Sequence, residues 1–255
     1  MNIIQSIILG IVEGATEFLP ISSTGHLILA SSLLGIMQSD FVKTFEIVIQ
    51  LGAILAVLFF YWRSFLDWTL LKKIIVAFIP TGIIGLALYH VAKAYLIGNE
   101  WVVLVALLLG GIALIVFEKW HGETPGAHDL TTLSYRDAAL IGVAQSVAII
   151  PGVSRSAATV LGGMSLGLSR AAIVEFSFLL AVPTMAAATG LDLFKSSANF
   201  STHEWLLLAV GFFVSFVVAL AAIRWLLNYI RQHSFVAFGI YRIVLSLAFA
   251  AFLLY

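Results

Sequence analysis

Cysteine is absent from the 255 residues, which excludes disulfide staples and thiolate metal sites. Charge is scarce: 10% of the side chains are charged, against about 25% in a soluble globular domain. The 13 basic and 13 acidic groups cancel, so nothing draws the chain to nucleic acid and no such partner is expected. The N-terminal stretch MNIIQSIILGIVEG lacks a basic n-region and an A-x-A site, so no cleaved signal peptide is expected. No polar block is long enough to build a separate soluble domain.

Apolar residues dominate instead, at 62% of the chain with a mean hydropathy of +1.09. This predicts one integral membrane domain over 1–255, surrounded by membrane lipids. Residues 2–19 and 22–37 are two apolar runs, each short of the roughly 20 residues a span needs. Pro20 and a group of polar side chains separate them. Two half-length helices meeting at a polar break predict a re-entrant hairpin; the alternative is one kinked span with an ordinary loop. Full spans are expected at 44–62, 74–96 and 101–118, with Trp62, Trp68, Trp101 and Trp120 anchoring their ends.

After a polar loop at 119–136, which holds His128, the plan repeats. G-I-V-E (10–13) is answered by G-V-A-Q (142–145), and P-I-S-S (20–23) by P-G-V-S-R-S (151–156). A second broken unit at 137–168 precedes spans near 171–191, 204–227 and 235–255. The predicted fold class is an all-α polytopic membrane protein with two inverted-topology repeats, 1–125 and 132–255. Each repeat is a re-entrant helical hairpin plus three transmembrane helices, the plan on which many transporters build a central site. If Arg63, Lys72, Lys73, Lys119, Arg136, Arg170, Arg224 and Arg231 lie inside, only Lys43, Lys93 and Lys195 remain outside. Both termini and the first hairpin then belong to the outer side, and the second hairpin enters from the cytoplasm.

The chemistry concentrates at the two breaks. Residues 13–26 read E-G-A-T-E-F-L-P-I-S-S-T-G-H. Glu13 and Glu17 are four apart and share one helix face. They can bind a hard divalent cation, act as a general base, or hold an arginine. Pro20 should end that helix, with Ser22, Ser23 and Thr24 capping the next. His26, three residues after Ser23, is spaced to activate a hydroxyl, accept a proton or attack phosphorus itself. The second break, PGVSRSAAT (151–159), places Arg155 at span depth, where an unpaired guanidinium is costly and usually functional. Gly152 permits close backbone approach, and Ser154, Ser156 and Thr159 add hydroxyls at a helix start. Helix N–H groups and a bidentate guanidinium make a phosphate cradle. The plainer reading, Arg155 merely neutralising Glu13 or Glu17, leaves the hydroxyls and His26 unexplained. Arg242, inside the last span, either pairs with a carboxylate or snorkels.

These motifs closely resemble those of the undecaprenyl pyrophosphate phosphatases of the bacitracin-resistance type. The likeness lies in EGxTEFLPISSTGHL (13–27), KTFEIVIQLGAILAV (43–57), PGVSRSxxT (151–159) and EFSFLLAVPTM (175–185). It implies a multi-pass hydrolase of the bacterial cytoplasmic (inner) membrane, with its active site facing the periplasm. Its substrate would be a polyprenyl pyrophosphate lipid, converted to the monophosphate plus inorganic phosphate. That reaction recycles the lipid carrier of peptidoglycan synthesis and confers bacitracin resistance. The resemblance also implies a divalent cation (Mg2+ or Ca2+), for which Glu13 and Glu17 are the expected ligands. Carried over as functional are Glu13, Glu17, Ser23, His26, Ser154, Arg155 and Thr159. Ser22, Thr24, Gly152, Ser154, Ser156 and Thr159 are expected to bind substrate, while Ser23, His26 and water stay open as nucleophile. The assembly, a homodimer included, is left open. A transporter or lipid flippase is the rival class, motivated by the repeats. Against it, Glu13 and Glu17 are answered by Gln145 and Ile149, and Arg155 belongs to the second repeat, a division that suits one composite catalytic site. No K-x6-R-P motif of the other lipid-phosphatase superfamily occurs.

Overall fold

A computed structural model describes residues 1–37, 39–96, 99–122, 129–195 and 200–254. His128 and the side chains of Lys93 and Lys195 lie outside the described residues. The first half holds α1 (Ile3–Thr16), α2 (Ser23–Leu33), α3 (Asp40–Tyr61), α4 (Trp68–Tyr95) and α5 (Glu100–Trp120). The second holds α6 (Tyr135–Ser146), α7 (Arg155–Ser165), α8 (Arg170–Lys195), α9 (Thr202–Ile230) and α10 (Val236–Leu254). The described residues form helices, turns and bends, with no strand.

Six of these helices, α3, α4, α5, α8, α9 and α10, are long and apolar enough to cross a membrane. The other four are not: α1, with 14 residues, is about 21 Å long at 1.5 Å per residue. Both breaks expected from the sequence are therefore real, one between α1 and α2 and one between α6 and α7. The stop comes earlier than Pro20, however. α1 ends at Thr16, and the N–H of Glu17 still reaches the Glu13 carbonyl. Proline disfavours α geometry in Leu19 before it, and the chain runs through turns over 17–21.

Helix starts are closed by short polar side chains, which accept the free N–H groups of the first turn. Asn2 and Ser201 form capping boxes with Gln5 and Glu204, and Ser39, Asp67, Asn99 and Ser134 cap α3, α4, α5 and α6. The first short helix of each pair is seated on a span of the opposite half, α1 on α9 and α6 on α4, while α3 meets α8 and α5 meets α10. A Cβ added at Gly14 would stand 2.5 Å from the Ser215 carbonyl oxygen, so glycine lets α1 lie directly on α9. Arg170 forks onto Glu118 at 3.0 and 2.8 Å, and the same carboxylate accepts the Phe235 N–H at 2.9 Å. One node thus ties the end of α5 to the starts of α8 and α10.

Arg242 neither pairs with a carboxylate nor snorkels. It is fully buried on α10, and its five N–H groups meet five backbone carbonyls. Nε donates to Leu107 (3.3 Å), Nη1 to Pro20 (3.2 Å) and Val153 (2.9 Å), and Nη2 to Ala106 (3.0 Å) and Gly152 (2.8 Å). Two of these carbonyls belong to α5, one to the first break and two to the second. Arg242→Leu should strand the three break carbonyls at about 1–3 kcal/mol each. We expect a large fall in the thermal unfolding midpoint in detergent; an unchanged midpoint would refute the clamp.

Candidate active site

The two breaks meet at a cavity of about 140 Å3. Glu17, Ser22, Ser23 and Thr24 line it from the first break, Gly152, Ser154 and Arg155 from the second, and Gln50 from α3. Ser22 and Ser154 occupy matching places, each just before a short helix and each at positive φ (70° and 76°). Non-glycine residues rarely hold that conformation, and strain of this kind gathers at functional sites. Each serine hydroxyl accepts the N–H three residues on, from Gly25 (3.4 Å) and Ala157 (3.2 Å). The sharp turn aims the next residue, Ser23 or Arg155, into the cavity. Gly152 has φ +93°, and a Cβ there would come within 2.6 Å of the Val103 carbonyl oxygen.

Charge and hydroxyl are joined across the cavity. Ser23 Oγ donates to Glu17 Oε2 at 2.5 Å, and Arg155 Nη2 donates to Glu17 Oε1 at 3.2 Å. Arg155 Nη1 donates to the Ser177 carbonyl of α8 at 2.9 Å. Two sets of atoms are left over: the buried Nε of Arg155 and both carboxylate oxygens of the fully buried Glu13 have no hydrogen-bond partner. Such groups are costly to bury unless something completes them. The second half shows what completion looks like. Gln145, the last residue of the G-V-A-Q run that matches G-I-V-E, donates to Thr81 (3.2 Å) and Thr184 (3.1 Å), and its Oε1 lies 3.3 Å from the Thr159 hydroxyl.

Not every expected site residue reaches the cavity. Both ring nitrogens of His26 are engaged elsewhere. Nδ1 donates to the Ser22 carbonyl (2.8 Å), and Nε2 lies 2.7 Å from the Tyr241 hydroxyl of α10, with the two rings stacked. The imidazole is thus not brought to the Ser23 hydroxyl. Ser156 donates to the Phe18 carbonyl (2.9 Å), stitching the second break to the first. Thr159 is fully buried, its hydroxyl 2.8 Å from the Arg155 carbonyl. Helical turn explains the split: the residues at the start of α7 face the cavity, while Ser156 and Thr159, three apart, share a face turned to protein. Sequence reading missed Ser177, Gln50 and Tyr241. Ser177 and Gln50 had one signal, a polar side chain inside an apolar span.

These features define a multi-pass α-helical membrane protein with a buried, charged cavity between two broken helix pairs. The chain belongs to the family described as bacitracin resistance protein BacA, whose family model matches residues 6–248. Curated relatives named undecaprenyl-diphosphatase match it along nearly the whole length. The Aquifex aeolicus protein is 54% identical over 252 residues, covering 98% of each chain. That of Sulfurihydrogenibium sp. is 52% identical over 250 residues, also 98% of each. The Thermus thermophilus protein is 46% identical over 254 residues, covering 98% of this chain and 97% of its own.

Gly152→Ala should destabilise the protein by roughly 1–3 kcal/mol from the backbone alone, with the clash against Val103 added. Thermal melting in detergent checks this; a wild-type melt would show that the turn is free to relax.

Proposed function

We propose that this chain hydrolyses undecaprenyl pyrophosphate to undecaprenyl phosphate and inorganic phosphate. The reaction returns the lipid carrier to peptidoglycan synthesis and removes the pyrophosphate that bacitracin sequesters, which confers resistance. The observation that carries the reading is the Ser23–Glu17–Arg155 chain of hydrogen bonds spanning two breaks, beside an unpartnered Glu13. The relatives' name supplies the substrate, and six apolar helices suit an enzyme whose substrate is a lipid.

The terminal phosphoryl group lies against the N-termini of α2 and α7, where helix N–H groups and the guanidinium of Arg155 favour its negative charge. Glu17 takes the proton of Ser23 as Oγ attacks the terminal phosphorus; the P–O bond to the inner phosphate breaks, and undecaprenyl phosphate leaves as the anion. Water then attacks the phosphoserine, releasing inorganic phosphate and restoring Ser23. Arg155 stabilises charge on the transferred group in both steps, using Nε and Nη. The orphan oxygens of Glu13 are hard acceptors that suit a divalent cation, Mg2+ or Ca2+, with Glu17 beside them. That cation would neutralise pyrophosphate charge and polarise the scissile linkage. His26 acts from behind, holding the Ser22 carbonyl so that the strained turn keeps Ser23 in place. The bias of basic residues toward one set of loops supports a reading with both termini and the mouth of the site on the periplasmic side of the inner membrane.

Ser23→Ala and Arg155→Ala should each lower phosphate release from undecaprenyl pyrophosphate in detergent by roughly 100- to 10,000-fold. Undiminished turnover in either would remove that residue from the chemistry. Movement of lipid in proteoliposomes without phosphate release would favour a flippase instead. Glu13→Gln should abolish binding of Mg2+ measured calorimetrically in the presence of a methylene-bridged, non-hydrolysable pyrophosphate. Unaltered binding would move the cation to other ligands.

A further inference from the structure

The two turns that bear Ser23 and Arg155 are built alike but braced differently. At each, the hydroxyl of the strained serine accepts the N–H three residues on, and its carbonyl the N–H four residues on. At Ser154 these bonds measure 3.2 Å from Ala157 and 3.0 Å from Ala158. At Ser22 both are longer, 3.4 Å from Gly25 and 3.3 Å from His26. The turn before Ser23 is thus the one its own helix holds less firmly.

A side chain makes up the difference. The residue four on is Ala158 in the second turn and His26 in the first, and His26 Nδ1 reaches the Ser22 carbonyl at 2.8 Å. A carbonyl oxygen only accepts, so Nδ1 carries the hydrogen. The buried ring meets two neutral groups, which leaves it uncharged and makes Nε2 an acceptor. The Tyr241 hydroxyl, 2.7 Å away, is then the donor, and the two rings stack within 3° of parallel. Tyr241 adjoins Arg242, which holds the Pro20 carbonyl of the same turn at 3.2 Å. Two neighbouring side chains of α10 therefore grip the first turn, at Pro20 directly and at Ser22 through His26. A tyrosine in a membrane helix often serves as an interfacial anchor, its hydroxyl turned to the headgroups. Here the ring is 44% exposed while the hydroxyl is spent on a buried imidazole.

We infer that Tyr241 is a positioning residue for the hydrolysis: its hydroxyl fixes the His26 tautomer, and that tautomer fixes the carbonyl behind Ser23. The inference rests on the pyrophosphate hydrolase reading above. The same assignment leaves the imidazole without a free lone pair for attack on phosphorus.

Nitrogen NMR of the imidazoles in the detergent-solubilised protein tests the relay, with His26→Ala identifying the His26 signals. Nδ1 should show the pyrrole-type resonance of a protonated nitrogen, and Nε2 the pyridine-type one. Tyr241→Phe should move Nε2 toward the position of a free pyridine-type nitrogen. A proton on Nε2, or on both nitrogens, would overturn the inference, as would an Nε2 resonance indifferent to Tyr241→Phe. The Phe ring keeps the stacking, so this variant should fold and melt near the wild type. In phosphate release it should lower kcat by roughly three- to tenfold, the effect of one lost hydrogen bond, with KM unchanged. A wild-type kcat would overturn the positioning role. In a His26→Ala background the Tyr241 change should cost nothing further, because the two side chains act as one unit. A full additional loss there would also overturn it. A wild-type chain that releases no phosphate would count against the hydrolase reading alone, and the resonances would still decide the relay.

Discussion

A guanidinium buried without a carboxylate must find its compensation in dipoles, and Arg242 finds it in five carbonyl oxygens. The carbonyls at the breaks are orphans by construction, because the chain leaves helical geometry there inside the protein. Each party would be prohibitively costly to bury alone. Together they fix the tips of both breaks, Pro20 from one and Gly152 and Val153 from the other, against the same helix. The positions of Ser23 and Arg155 follow, since each is tied to its tip by a strained serine one residue before it.

Arg155 makes the useful contrast. It too is largely buried but keeps Nε unpartnered, and Glu13 nearby keeps two oxygens without a hydrogen bond. The matching position in the second half, Gln145, is neutral and surrounded by hydroxyls. Arg242 is saturated and holds the breaks in shape, whereas Arg155, which lines the cavity, keeps a donor free. That distinction is energetic, and it separates the two buried arginines better than burial does.

Much of this could be read from the chain. Broken helices were visible because polar residues and proline interrupt apolar runs at 13–26 and 151–159. Glu17, Ser23 and Arg155 stood out because hydrophilic side chains are expensive in such surroundings. Other features were hidden because they depend on which side of a helix faces which neighbour. Ser156 and Thr159 sit within the same motif as Arg155 yet turn toward Phe18 and Gln145. His26 looked like a partner for Ser23 by spacing, but the turn at Ser22 sends its ring to Tyr241, 215 residues away. The five-carbonyl cage of Arg242 could not be seen at all, since backbone acceptors leave no mark on composition.

The seating of α1 and α6 on spans of the other half has a consequence for how the protein is made. α1 leaves the ribosome early, yet the helix it lies on, α9, emerges almost 200 residues later; Ser6, for example, donates to the carbonyl of Leu207. Until then the first break must wait in the bilayer with its carboxylates unshielded. Contacts of such sequence separation make assembly slow and late. Neither half can mature as an independent unit, and the reactive centre comes into being only when the final helix brings Arg242 to the breaks. The growing chain is therefore inert until it is complete.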